Sequence, residues 1–383
     1  MKRGFLQYDL VFEGGGAKGA VFVGAIQEFE RRKHTSRRFV GTSVGAITAT
    51  LMAAGYTATD MLAVTKERMA SGKHRFSTFM DIAEAFQQQD SEKSLMQEIF
   101  NRVELPLPGW IEQRVDSALL AQLMKMSVYR ELFSFVERGG LYAGAAFLAW
   151  LHEKLNAGNR NLANATFAEF NQKTGADLSL VASDTTGQQM LVLNHRTAPQ
   201  CPVAWGVRMS MSIPFIWQEV RWDSAWGTYQ GEALGGHSII VDGGVLSNFP
   251  LRLLTSRDSD VVAIMGNTDP DGAPNLGLLI DETLPVPNAG QPATPQADDS
   301  ASSHPSASSP IVDTLTSKRP PLLSLIFRGS NRFPQNGGYV LKPHVIYEIS
   351  VTGTDAEGVK LEALQEQAYV FAPRAVVDFS ASL

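Results

Sequence analysis

A chain of 383 residues can hold one large α/β domain, or one domain with appendages. With 44% hydrophobic and 19% charged residues its composition is that of a globular protein with a sizeable core, and a formal charge of −6 argues against nucleic acid as the main partner. The single cysteine, Cys201, excludes an internal disulfide and fits a reducing compartment.

Met1 to Leu10 carries two basic residues, but Asp9 and Glu13 interrupt any apolar run of signal-peptide length. No window approaches 18 uninterrupted apolar residues, so no spanning helix is expected. The expectation is a cytoplasmic protein able to make peripheral membrane contact. Export without a cleaved signal stays open.

In chain order, Leu10-Val11-Phe12 reads as a short buried strand running into Glu13-Gly14-Gly15-Gly16-Ala17-Lys18-Gly19. A helix follows, carrying Ala25, Ile26 and Phe29 on a helical period. Phe39-Val40 is the next strand and enters Gly41-Thr42-Ser43-Val44-Gly45. Together these make a βαβ unit with both glycine turns at the carboxyl edge of a parallel sheet. A G-x-S-x-G turn there is a nucleophile elbow, with Gly41 and Gly45 flanking a serine whose oxygen projects from a sharp strand-to-helix bend. The reading is a serine acyl hydrolase with Ser43 as nucleophile.

Val44 to Ala54 is an apolar helix closed by Gly55, and Thr57 or Thr59 caps the next one. Residues 71–137 read as a helical insertion, either a lid or extra core, with Phe76, Phe79 and Trp110 (and Trp226 further on) as aromatics that burial or a lipid surface would claim. Tyr142 to Leu155 and Thr166 to Lys173 read as helices, and Leu178 to Ala182 and Met190 to Leu193 as strands. Val203 to Ser212 is a helix stopped by Pro214. Ile239 to Val241 is a buried strand before Asp242-Gly243-Gly244; Asn248-Phe249-Pro250 opens a helix, and Val261 to Met265 reads as a strand. Residues 285–310, rich in Pro, Ser, Ala and Gln, read as a flexible loop. In 311–383, Val345 to Val351 reads as a strand and Val359 to Phe371 as a helix, packing on a core that spans 5–280.

The first glycine loop admits two readings. Gly14-x-Gly16-x-x-Gly19 fits a dinucleotide fingerprint, but the second strand ends without the carboxylate that would hold a ribose. In the hydrolase reading the loop brings backbone N–H groups to the oxyanion of an attacked ester, with the helix start at Ala17 supplying free donors. None of the seven histidines sits in a convincing catalytic turn. Asp242, ending a strand on the same sheet edge as Ser43, is the better proton acceptor for a Ser-Asp dyad.

Taken in order, Gly14-Gly15-Gly16-Ala17-Lys18-Gly19, Gly41-Thr42-Ser43-Val44-Gly45 and Asp242-Gly243-Gly244 closely resemble the three signatures of the patatin-like phospholipase family. Asn248, Pro250 and Ser212-Ile213-Pro214-Phe215 resemble its usual continuations, and the likeness covers roughly residues 8 to 266. The resemblance implies a three-layer α/β/α fold with a central mostly parallel sheet. It implies a lipid acyl hydrolase without metal or cofactor, acting on phospholipid or another acyl-ester lipid at a membrane surface through an acyl-serine intermediate. Ser43 would be nucleophile and Asp242 base, with Gly15, Gly16, Ala17 and Lys18 lining the oxyanion site. Some relatives need a protein or nucleotide activator, and any such switch here would lie outside the core. A dinucleotide-binding oxidoreductase and a catalytically inert binding protein are the alternatives.

Overall fold

A computed structural model describes residues 7–82, 127–234, 238–267 and 273–280, together with strands at 345–351, 354–355, 358–359 and 367–370. The chain opens with β1 (Gln7–Phe12), α1 (Val21–Arg31), β2 (Thr35–Thr42), α2 (Val44–Ala53) and α3 (Ala58–Thr65). Next come helix Ser127–Arg138, β3 (Gly140–Tyr142), and helices Ala145–Asn156 and Phe167–Thr174. Then follow β4 (Asp177–Asp184), β5 (Gln189–Leu193), helix Val203–Ser210, β6 (Phe215–Trp217), β7 (Val220–Arg221) and β8 (Ile239–Asp242). Helices Arg252–Thr255 and Ser259–Met265 precede β9 (Asn275–Ile280), and the remaining strands are β10 (Val345–Val351), β11 (Thr354–Asp355), β12 (Gly358–Val359) and β13 (Gln367–Val370).

The central sheet runs β13-β10-β9-β1-β2-β4-β8-β7, with β5 also on β4. Strands β10, β9, β1, β2 and β4 are parallel, and antiparallel members sit towards both ends. Period-two alternation sorts side chains between the faces. Leu10, Phe12, Phe39, Leu180 and Leu193 join a large core with α1, α2, α3 and helices Ala145–Asn156, Phe167–Thr174 and Val203–Ser210. Val11, Val40, Val181 and Val192 face a smaller core with Leu253, Leu254, Val261 and Met265. Helices thus cover both faces of a mostly parallel sheet, as the sequence suggested.

One pairing positions everything that follows. Residues 180–184 of β4 pair with β5, while 177–181 pair with β2 and 182–184 with β8. A strand has two edges, so β2 and β8 share the edge that β5 leaves open. They meet there head-on, with Thr42 opposite Val181 and Asp242 opposite Ala182. The strand carrying Asp242 therefore runs antiparallel to β4, and its last residue arrives where β2 delivers Ser43.

Several expected elements are revised. Val261 to Met265 is not a strand: it lies in helix Ser259–Met265, opened by Asp258 at its N-cap. The helix expected over Tyr142 to Leu155 starts at Ala145, because Tyr142 belongs to β3 and Gly144 is left-handed at φ 73°. Within Val359 to Phe371, expected as a helix, Val359 ends β12 and Gln367–Val370 is β13 on the sheet edge. There the pairing of β13 with β10 overrides the helical propensity of Gln367 and Ala368, and residues 360–366 lie outside the described residues. Most of the 71–137 insertion and all of 285–310 lie outside the described residues, as does Trp110. Phe79 and Trp226 are buried, whereas Phe76 is 39% exposed.

Candidate active site

β2 bends into α2 at Ser43, which caps the helix at φ 54°, ψ −121°. A side chain with Cβ in that region costs about 1–3 kcal/mol, and such strain concentrates at functional turns. The bend is held by close backbone approach. A Cβ at Gly41 would lie 2.7 Å from Ala46 N, and one at Gly45 would overlap Phe12 O and stand 2.6 Å from Glu13 O. Thr42 Oγ1 donates to Ser247 O at 3.0 Å, which ties the end of β2 to the turn after β8.

Asp242 sits across the β2–β8 junction. Its N–H donates to Ser212 O (2.8 Å), and its Oδ1 accepts from Gly244 N (2.6 Å). Ser43 and Asp242 are each 5% exposed. Burial pushes the Asp242 carboxyl up to about 6, while the neighbouring Ser43 hydroxyl and the Gly244 N–H pull it back down. Although that hydroxyl is near enough to favour the charged form, Asp242 Oδ2 is buried without a hydrogen-bond partner. A buried carboxylate oxygen left open beside a serine is a proton acceptor in waiting.

The first glycine loop lies against the same pair. A Cβ at Gly14 would stand 3.2 Å from Ser43 Cβ. Past it the chain forms a 3-10 turn, Gly16–Ala20, so α1 itself begins only at Val21. Lys18 N donates to Gly15 O at 3.1 Å, so its amide is engaged within the turn. The N–H groups of Gly15 and Gly16 make no hydrogen bond among the described residues. Of the four expected to line an oxyanion site, these two keep open donors.

Asn248 anchors this loop. Its Nδ2 donates to Glu13 Oε1 (3.0 Å) and Gly14 O (2.9 Å), and its own carbonyl accepts from Gly14 N (3.0 Å). Glu13 Oε2 in turn accepts from Ile280 N at 2.8 Å, so β9 is joined to the loop. Asn248→Ala is expected to lower unfolding free energy by about 1–3 kcal/mol in a denaturant titration, since it removes two side-chain bonds from partly buried partners.

Sequence reasoning missed Ser210, the fully buried last residue of helix Val203–Ser210. Its Oγ accepts from Ser43 N at 2.9 Å and donates to Val181 O at 2.6 Å. Only its place two residues before Ser212-Ile213-Pro214-Phe215 could have drawn attention to it. Of the described histidines, His34 packs on Tyr8 and Phe29, His74 precedes the turn Arg75–Thr78, His152 lies in helix Ala145–Asn156, and His195 lies 3.7 Å from Asp177 beside Arg196 and Arg38. His237, His304 and His344 lie outside the described residues. Among the described residues no group of three His, Cys, Asp or Glu could hold a metal ion, and no helix is long and apolar enough to cross a membrane.

Residues 10–255 match the family model described as Patatin-like phospholipase. An uncharacterized protein of Bacillus subtilis (strain 168), YqhO, is 30% identical over 255 residues, covering 65% of this chain and 67% of its own length. Among solved structures the chain is similar to VipD from Legionella pneumophila, at 18% identity and a TM-score of 0.34 over 73% of this chain and 50% of that one. It is also similar to ExoU from the type III secretion system of Pseudomonas aeruginosa, solved in complex with SpcU, at 17% identity and a TM-score of 0.34 over 74% and 45%. The chain spans about half the length of these two structures.

Proposed function

The chain belongs to the patatin-like phospholipase family, and from that premise we propose that it hydrolyses acyl esters of lipids with Ser43 as nucleophile and Asp242 as base. The observation that carries the reading is the open, buried Oδ2 of Asp242 beside a serine on a strained elbow. As Ser43 Oγ attacks the ester carbonyl carbon, its proton passes to Asp242. The negative charge gathering on the carbonyl oxygen falls to the glycine loop at Gly15, Gly16 and Ala17, where the N–H groups of Gly15 and Gly16 are open, each such donor being worth roughly 3–4 kcal/mol in the transition state. Collapse of the tetrahedral intermediate breaks the ester C–O bond, and the leaving alcohol takes the proton from Asp242. Water then attacks the acyl-serine, gives its proton to Asp242, and the acid departs as the proton returns to Ser43.

The dinucleotide alternative gains no support from the loop's surroundings. Gly14 is packed on Ser43 and Asn248, and a Cβ at Gly19 would run into the Val44 side chain, so the loop's glycines serve contact with the elbow.

The test is hydrolysis of a fluorogenic phospholipid and of a short-chain aryl ester, beside Ser43→Ala, with a fluorophosphonate probe on the same samples. Ser43→Ala should abolish turnover on both substrates and remove the label. Undiminished activity in that variant would end the serine hydrolase reading. Wild-type turnover should rise with pH through about 6 as Asp242 ionises and then level off. A rate that falls across that interval would remove Asp242 as the base.

A further inference from the structure

Where β2 would place its next rung on β4, a hydroxyl stands instead. Thr42 is paired with Val181, and in a parallel ladder the following amide, Ser43 N–H, would reach Val181 O directly. The chain turns away at this point, so the two groups are parted. Ser210 Oγ lies between them, accepting from Ser43 N at 2.9 Å and donating to Val181 O at 2.6 Å. A serine hydroxyl is one donor and one acceptor in a single atom, which is what the two separated groups require. An alanine there would leave a buried N–H and a buried C=O unmet together, since Ser210 is 0% exposed.

The same insertion decides what the elbow can do. Ser43 holds φ 54° only while its surroundings over-determine that conformation. Three constraints act: the contact of Gly45 with the end of β1, the Thr42 bond to Ser247, and the Ser210 bond to Ser43's own amide. The last acts on the nucleophile's own amide, while its carbonyl accepts from Ala46 N and Ile47 N in the first turn of α2. The Ser210 bond thus engages that N–H, whereas the N–H groups of Gly15 and Gly16 in the neighbouring loop stay open. The two duties are thereby divided, with the glycine loop left to receive an oxyanion and the Ser43 amide left to hold the serine.

We propose that Ser210 is a positioning residue for the nucleophile: its hydroxyl, spliced between Ser43 N–H and Val181 O, fixes the elbow conformation from which Ser43 attacks. The inference rests on the Ser43 hydrolase reading and adds to it a residue contributed by a separate helix, 167 positions along the chain.

The experiment compares wild type with Ser210→Ala and Ser179→Ala. Ser179 is likewise 0% exposed on β4 and accepts from Asn194 Nδ2 at 3.1 Å, so it is a matched loss of a buried hydroxyl away from Ser43. Each protein is followed by its fluorophosphonate labelling rate, by kcat and KM on the aryl ester, and by thermal unfolding. Ser210→Ala should label about tenfold or more slowly and lose kcat in the same proportion with KM unchanged, while Ser179→Ala labels as wild type does after a comparable loss of stability. Wild-type labelling and kcat in folded Ser210→Ala would overturn the proposal, and so would an equal loss in both variants. If Ser210→Ala does not fold, Ser210→Cys carries the test, because the thiol keeps the volume and bonds weakly; it must also slow labelling, and a wild-type rate refutes the role. A wild type that neither labels nor hydrolyses would instead defeat the hydrolase reading beneath it.

Discussion

Asp242→Asn is expected to lose hydrolysis by about 10³–10⁴-fold while making the folded protein more stable at neutral pH. The two effects share one cause. Burial holds the Asp242 carboxyl at about 6 against an ordinary value of 3.8, so ionising it in the folded state costs about 3 kcal/mol more than in the unfolded chain. The sign follows from proton counting. Below 3.8 both states are protonated and the group is neutral towards folding; between 3.8 and about 6 the unfolded chain releases a proton that the folded one retains, so stability falls as pH rises. Above about 6 the penalty is complete. Asparagine never ionises, keeps an oxygen for the Gly244 N–H, and puts an amide where Oδ2 now lies without a partner. Unfolding at pH 4 and pH 8 should therefore find the variant close to wild type in acid and up to about 3 kcal/mol more stable in base. A variant that is destabilised at pH 8 would mean that burial does not set the affinity of Asp242 for its proton. The reading of it as a tuned base would then lose its physical ground.

Ser43 and Asp242, the proposed dyad, stand out in the sequence because each lies in a short local motif whose glycines have a mechanical purpose. What brings them together does not. The strand Ile239 to Val241 was visible as a buried apolar run, yet its direction is a fact of pairing, and only the switch of β4 from β2 to β8 shows that the two strand ends converge. The same limit hid Ser210, which reaches Ser43 from a helix with no motif of its own. Val261 to Met265 was misread for a different reason. Five apolar, partly β-branched residues suit a buried strand as well as a buried helix, and the Asp258 and Asp260 at the helix start were the signal left unused. β9 went unread too: Asn275–Ile280 lies between proline- and glycine-bearing stretches, and its place beside β1 comes from tertiary pairing. Yet β9 supplies the Ile280 amide that Glu13 accepts, so part of the glycine loop's support comes from a strand the sequence did not announce.

Gly45→Ala is expected to damage both fold and activity, and to do so more severely than substitution at a left-handed glycine nearby. The added methyl carbon would overlap Phe12 O and stand 2.6 Å from Glu13 O, and these are backbone atoms that cannot swing aside as a side chain can. To make room, the first turn of α2 must leave the end of β1. Glu13 is held there by its N–H bond to Leu278 O at 3.1 Å and by Ile280 N on its carboxylate, so the displacement falls on the elbow. The expected cost is about 3 kcal/mol or more, at the upper end for overpacking a tight contact. Gly55→Ala is the natural comparison, because Gly55 has φ 83° with open space where its Cβ would point. It should cost about 1–2 kcal/mol from backbone strain alone and leave labelling of Ser43 at the wild-type rate. The decisive measurement is labelling at a temperature where Gly45→Ala is still fully folded. A loss there, beside an unaffected Gly55→Ala, means that the close approach sets the distance between Ser43 and the glycine loop. Retained labelling would mean that the two halves of the site hold their geometry without that contact.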